Sequence, residues 1–257
     1  MREALLHAIA AIAEDAGAAI LGVYESDFAV RHKDDGSPLT RADEASEGVI
    51  LPALAALTPD IPIVSEEQVA AGAGPKTIGR RYWLVDPLDG TKEFVKRNGE
   101  FCVSIGLVKD GRPSLGVLHG PVGGVTYAGE VGVGAWMRRG GETEKPIACR
   151  QPPVDGLDVV VSRSHNAPGA TAEVLARVRV RGHVAQGSAL KFAVLAQGRA
   201  DLYVRAGPTC EWDTAGGHAL LEAAGGRVMQ LDHTPLEYGK KGFLNPPFLA
   251  LGRIDPP

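Results

Sequence analysis

The chain has 257 residues, with 27 Lys+Arg against 31 Asp+Glu and a formal net charge of -4. That length allows one large domain or two smaller ones and a buried core without disulfide staples. A composition of 44% hydrophobic and 23% charged residues excludes global disorder, and the mildly acidic balance argues against nucleic acid as a main partner.

Leu5, Ile9, Ile12, Ala16, Ile20 and Val23 recur at three- and four-residue steps and predict an amphipathic first helix. A polar stretch with a turn at Gly36–Pro38 follows, then a second helix over Ala42–Leu57 that Pro52 should kink or end. Ile61–Val64 reads as a short strand ending in Glu66-Glu67, with a mobile Ala/Gly loop over Val69–Gly79. Tyr82–Val85 reads as a buried strand stopping at Asp86-Pro87. Strands over Phe101–Val108 and Ser114–His119 flank a hairpin turn, and two more cover Gly124–Ala128 and Gly132–Arg138.

The proline-rich, aperiodic stretch Pro146–Leu157 marks the expected boundary between an α+β half, residues 1–150, and an α/β half, residues 151–257. In the second half, Val159–Ser162 and Ala200–Val204 read as strands. Ala170–Val178, Ala189–Gln197 and Thr214–Ala224 read as helices, the last closed by Gly225-Gly226.

Cys102, Cys149 and Cys210 are odd in number and widely spaced, without a C-x-x-C pair, which fits a reducing cytoplasm. The N-terminus lacks a signal-peptide pattern, and no stretch reaches the ~18 apolar residues of a membrane span. A cytoplasmic protein without a stable membrane anchor is expected, peripheral contact with the inner membrane being left open.

The chemistry concentrates in Asp86-Pro87-Leu88-Asp89-Gly90-Thr91, where an apolar strand delivers two carboxylates into a turn. Hard divalent cations take oxygen ligands of this kind. An Asp-rich turn bonded to its own backbone is the equal alternative. Glu66 and Glu67 read as surface charge and Asp213 as a helix N-cap when each is taken alone. Three acidic groups at element ends are nonetheless what a two-metal site requires where no His or Cys ligand motif exists.

Asp86–Thr91 resembles the D-P-[LI]-D-G-T signature of the inositol monophosphatase superfamily, and Trp212-Asp213 resembles its W-D-x-[AG]-[AG] signature. Gly216 beside Gly217 departs slightly from the Ala-Gly of many relatives. Asp89–Phe94, Ser162–His165, Gly187–Phe192, Arg205–Thr209 and Gly242–Pro246 are similar to the 3'(2'),5'-bisphosphate nucleotidase branch, of the CysQ type. The resemblance runs from about Ala4 to Leu251. It implies a sugar-phosphatase-like fold layered α/β/α/β/α and a lithium-sensitive phosphatase using two or three Mg²⁺ ions per site. The implied ligands are Glu66, Asp86, Asp89, Asp213 and the Leu88 carbonyl.

The resemblance also implies that Asp43, otherwise an exposed helix residue, pairs with Thr91 to deprotonate an attacking water near Glu66. Gly90 and Thr91 N–H groups would hold the phosphate. Ser164, His165, Ser188, Lys191 and Arg205 become candidates for substrate contacts, although a lone helical Lys or loop His is ordinarily surface. The implied substrate is 3'-phosphoadenosine 5'-phosphate, with 3'-phosphoadenylyl sulfate as a second, and the implied setting is sulfate assimilation. An inositol-1-phosphate or sugar-bisphosphate phosphatase is the alternative enzyme, and a non-catalytic nucleotide sensor the remote one. The expected assembly is a monomer or homodimer.

Overall fold

The computed structural model describes residues 2–26, 30–32, 38–163 and 169–257. In chain order, α1 (Arg2–Tyr24) is followed by a strand pair, β1 (Val30–His32) and β2 (Pro38–Thr40), and by α2 (Arg41–Leu57). Next come β3 (Ile63–Ser65), α3 (Glu66–Ala70), β4 (Arg81–Asp89), α4 (Thr91–Val95), β5 (Cys102–Lys109) and β6 (Arg112–Gly120). The first large sheet finishes with β7 (Val125–Glu130), β8 (Gly134–Arg139) and β9 (Lys145–Ile147). It has seven strands in the order β3 to β9, antiparallel except for the parallel pair β3–β4.

The remainder comprises β10 (Leu157–Ser162), α5 (Ala170–Leu175), β11 (Val180–Gln186), α6 (Leu190–Ala196), β12 (Leu202–Arg205) and β13 (Thr209–Cys210). It ends with α7 (Trp212–Ala223), β14 (Arg227–Gln230), β15 (Leu244–Asn245) and β16 (Phe248–Leu251). Five of these strands form a second sheet in the order β11-β10-β12-β16-β14, while β13 and β15 pair separately.

Packing stacks these elements into five layers. Val103, Ile105, Leu107 and Val117 of the first sheet share a core with α1 and α2. Cys102, Val108 and Leu118, from the same strands, share another with α6 and α7. That alternation follows from the two-residue period of a strand covered on both faces. The second sheet closes over α6 and α7 through Val160, Tyr203, Val228 and Phe248, and its outer face packs Val159, Leu202 and Leu249 against Val174 of α5. The layering is α/β/α/β/α, as the family resemblance implies.

Several sequence expectations need correction. Helix α2 runs unbroken through Pro52. Pro52 and Gly48 are both exposed, so the carbonyl that loses its partner faces solvent. Glu66 opens a short helix that continues through Ala70, into the stretch expected to be loop. The edge strand β11 has no counterpart among the expected elements, because its polar, charged alternation carries little hydrophobic signal. The central strand β16 was also missed, its four buried residues being too few for a periodicity.

Ala4–Tyr24 is, contrary to expectation, long and apolar enough to cross a membrane, with a mean hydropathy of 1.6. Its apolar face, Leu6, Ile9, Ala10, Ala13, Ala16 and Ile20, is buried in the core. Gly17 lets it approach the sheet, since a Cβ there would fall 2.4 Å from the His119 ring.

His119 is buried, with Nδ1 3.0 Å from the Thr126 hydroxyl, which donates to Glu14 at 2.6 Å. Burial pushes its pKa down to about 4, opposed by Glu14 and aided by Arg138. The unfolded chain, near pKa ~6.5, therefore binds the extra proton more readily. This contribution to stability is full above pH ~6.5 and is lost as pH falls to about 4, by at most ~3 kcal/mol. Denaturant midpoints measured across that range should fall less steeply with acidification in His119→Gln than in the parent. Identical slopes would remove His119 from the account.

Candidate active site

Two residues three apart on a regular strand point to opposite faces. In β4, Asp86 pairs with Ser104 and Asp89 with Cys102, so three steps on one strand face two on its neighbour. This bulge inserts one residue and returns both carboxylates to the same side. Pro87, which cannot donate to a ladder, occupies the irregularity, and its carbonyl accepts from Ser46 Oγ at 2.6 Å. The strand thus continues past Asp86-Pro87, where it was expected to stop.

Asp86 Oδ1 also accepts from the Leu88 N–H at 3.0 Å. The turn-closing hydrogen bond and the site-building geometry, weighed as alternatives from the sequence, therefore coexist. Gly90 then adopts φ 95° to start α4, a conformation that disfavours a side chain.

These residues line a cleft of about 540 Å³ together with Glu66, Val69, Thr91 and Glu93 from earlier in the chain and Ser188, Lys191, Arg205 and Asp213 from later in it. One carboxylate oxygen each from Glu66, Asp86 and Asp213 lies within 4.8 Å of the others. Burial pushes Asp213 well above the ordinary carboxylate range, with Asp89 and Glu66 adding to it. Asp89 is raised to about 6, again by burial first, while Lys191 and the Ala189 N–H favour its charged form. A crowd of hard oxygen donors that resist ionising together suits a divalent cation. Leu88 lines the same cleft, and its carbonyl accepts from the Thr91 hydroxyl at 3.3 Å.

Asp213 arrives from the far side of the molecule because α7 lies directly on the first sheet. A Cβ on Gly116 would fall 2.0 Å from the Gly216 carbonyl oxygen, so this contact requires glycine in the strand. The Cys210 N–H donates to Asp213 Oδ2 at 2.8 Å and orients the carboxylate.

Lys191 is buried, contrary to the surface position usual for a helical Lys. Its Nζ donates to the Ser188 carbonyl at 2.5 Å and lies 5.4 Å from the Tyr203 ring centroid. Ser188 has φ 53°, and the next N–H, of Ala189, donates to Asp89 Oδ2. Arg205 is steadied by the carbonyls of Gly207 and Pro208, at 3.2 and 2.9 Å.

Asp43 is buried rather than exposed. Its Oδ2 accepts from the Thr40 N–H and hydroxyl at 2.7 and 2.8 Å, capping α2. Ser164 and His165 lie outside the described residues. Sequence reasoning assigned no role to Glu93, which lines the cleft beside the acids, although it stands in the Asp89–Phe94 stretch. The Phe192, Tyr203 and Phe248 rings, 5.8 to 6.1 Å apart, also wall the cleft and carried no signal beyond being apolar. Burial holds the Cys102 thiol well above its usual pKa, which removes it as a nucleophile.

A profile of the inositol monophosphatase family matches residues 1–253. The chain belongs to this family. Among curated relatives, the 3'(2'),5'-bisphosphate nucleotidase CysQ of Escherichia coli (strain K12) is 45% identical over 249 residues, covering 95% of this chain and 98% of that one. Its namesake in Salmonella typhimurium is 46% identical over 253 residues with the same coverage. Among solved structures, CysQ from Bacteroides thetaiotaomicron superposes with a TM-score of 0.79 at 35% identity, covering 97% of this chain and 98% of the other. An inositol monophosphatase from Anabaena gives 0.76 at 31% identity, covering 97% and 90%.

The acid cluster makes the family's metal dependence testable without turnover. Asp213→Asn keeps an acceptor for the Cys210 N–H but removes a crowded charge. In metal-free buffer its melting temperature should rise by about 2–4 °C, the shift for roughly 1 kcal/mol in a chain of this size. The parent is expected to gain a rise in melting temperature from a divalent cation, supplied as MgCl₂, and that rise should disappear in the variant. A variant still stabilised by Mg²⁺ as the parent is would remove Asp213 from the metal site.

Proposed function

We propose that the protein is a Mg²⁺-dependent 3'(2'),5'-bisphosphate nucleotidase that hydrolyses 3'-phosphoadenosine 5'-phosphate to AMP, with 3'-phosphoadenylyl sulfate as a second substrate. The observation that carries this reading is the meeting, in one cleft, of the acid cluster with Lys191 and Arg205. A phosphomonoesterase needs the first, and a substrate with a second phosphate uses the second. The CysQ relatives, matched over nearly their whole length, support the nucleotide as substrate.

In this reading Glu66, Asp86, Asp89, Asp213 and the Leu88 carbonyl hold the metal, and most of these ligands come from residues 1–150. When bound, Mg²⁺ supplies charge neutralisation for the phosphate oxygens and a lowered pKa for water. Thr91, at the first turn of α4, orients the attacking water, with Asp43 as its carboxylate partner from the first turn of α2. The Gly90 and Thr91 N–H groups hold the transferred phosphate. Water attacks phosphorus as its proton passes by way of Thr91 to Asp43, the bond to the 3'-oxygen breaks, and that oxygen leaves as a hydroxyl after taking a proton from solvent.

Residues 151–257 select the substrate. Lys191 is already desolvated against Tyr203, and Arg205 is held by backbone carbonyls. Both are therefore ordered before the second phosphate arrives, which limits the entropy lost on binding. Ser188 contributes its hydroxyl. The buried or half-buried free thiols suit a cytoplasmic setting.

Phosphate release under identical Mg²⁺ conditions tests the assignment. The bisphosphate nucleotide should be preferred over inositol-1-phosphate, and a clear preference for the latter would overturn it. Asp89→Asn should lower kcat by about 10²-fold or more, as expected when charge stabilisation of the transition state is removed. Lys191→Met should raise KM for the bisphosphate while leaving KM for adenosine 3'-monophosphate nearly unchanged.

A further inference from the structure

The segment 238–245 has no part in the reaction as described, yet it grips the approach to Asp213 at every turn. Glu211, two residues before Asp213, is fully buried. Its carboxylate accepts from the Gly239 N–H at 2.8 and 3.0 Å and from the Lys240 N–H at 2.9 Å, and it pairs with Lys240 Nζ at 2.7 Å. The Glu211 N–H donates to the Phe243 carbonyl at 2.8 Å, and the Trp212 and Phe243 rings lie 5.8 Å apart.

One residue on, β15 pairs with β13, setting Asn245 opposite Thr209. Asn245 Nδ2 donates to the Cys210 carbonyl at 2.7 Å and to the Thr214 hydroxyl at 3.0 Å, with Thr209 Oγ1 at 3.3 Å. Cys210 and Thr214 are the residues that flank Glu211-Trp212-Asp213. The peptide that Asn245 grips by its carbonyl belongs to the same residue whose N–H aims the Asp213 carboxylate at 2.8 Å.

Stability alone does not account for this Asn. Its Oδ1 is buried with no hydrogen-bond partner, a condition that costs roughly 1–3 kcal/mol. Rotating the amide would leave the Cys210 carbonyl and the Thr214 hydroxyl facing an oxygen. The nitrogen's contacts therefore fix the side chain in an orientation that leaves its oxygen unsatisfied.

We propose that Asn245 and Lys240 are positioning residues for the metal site: the 239–245 strap, locked on Glu211, holds Cys210 so that its N–H keeps Asp213 aimed at Glu66 and Asp86. Neither residue touches metal or substrate. They act through Cys210 and the start of α7, as outer groups around a metal commonly do, where their loss lowers metal affinity by roughly 10–100-fold.

Mn²⁺ titrations of the purified full-length chain, read as free Mn²⁺ by electron paramagnetic resonance, test the proposal without turnover. Asn245→Ala changes no charge and should weaken Mn²⁺ binding by roughly 10–100-fold. Lys240→Met separates mechanism from field. Removing a cation from the surroundings of the acid cluster tightens cation binding on Coulomb grounds, whereas a loosened strap weakens it. Weaker binding in Lys240→Met is the expected result, and it decides the matter should Asn245→Ala fail to fold. The exposed Lys241→Ala, on the same strap, should bind as the parent does.

Unchanged affinity in Asn245→Ala, or tighter binding in Lys240→Met, overturns the proposal. The inference rests on Asp213 being a ligand, so Asp213→Asn is measured alongside. Parent-like Mn²⁺ affinity there would overturn the metal reading itself, while loss there with parent-like Asn245→Ala overturns the strap alone.

Discussion

The seat of α7 on the first sheet is the contact on which the site depends. Gly106 and Gly116 on the strands meet Ala215 and Gly216 on the helix with no room for a Cβ. Only at that separation can the N-terminal end of a helix from the second half reach β4. Asp213 is then within reach of Glu66 and Asp86, and the cleft acquires one wall from each half. Small residues in W-D-T-A-G-G are thus a distance constraint as well as a sequence signature.

That close seat creates an electrostatic conflict. Asp89 and Asp213 are both half-buried in the crowded cleft, where Glu66 makes each harder to ionise and Asp89 adds to the effect on Asp213. Hydrogen bonds from the Ala189 and Cys210 N–H groups offset part of this, and Lys191 offsets more of it for Asp89. The remainder awaits a cation. Stability is sacrificed locally so that a phosphate, itself an anion, can be drawn into an acidic pocket once metal is present. The surrounding hydrogen-bond scaffold keeps the acids from relaxing apart: Ser46 on the Pro87 carbonyl, Thr91 on the Leu88 carbonyl, and Asn245 on the Cys210 carbonyl.

What could be read in advance varied with the range of the interaction involved. The D-P-L-D-G-T turn was legible because strand, bulge, proline and left-handed glycine are all local in sequence. The opening helix and the β5–β6 hairpin were legible for the same reason. Strand β11 was not, since it is held by parallel pairing to β10 and carries a half-exposed, charged face. Without the resemblance, Lys191 and Asp43 read as surface groups, because their burial comes from elements distant in the chain. Pro52 misled in the other direction, as its effect on a helix depends on which face it occupies.

By itself, the sequence determined the acid inventory and the α+β and α/β character of its two parts, because these follow from residue identity and short-range periodicity; the layered fold came only as an implication of the family resemblance. Only the tertiary structure decided that the acids converge, that Asp43 caps a helix through Thr40, and that Lys191 is buried beside Tyr203. It also placed Asn245 on the carbonyl of Cys210, the residue whose N–H donates to Asp213. The net charge of -4 illustrates the difference. As a sum it argues against nucleic acid as a main partner, but the field in the cleft depends on distance and burial, which enter only when the chain folds.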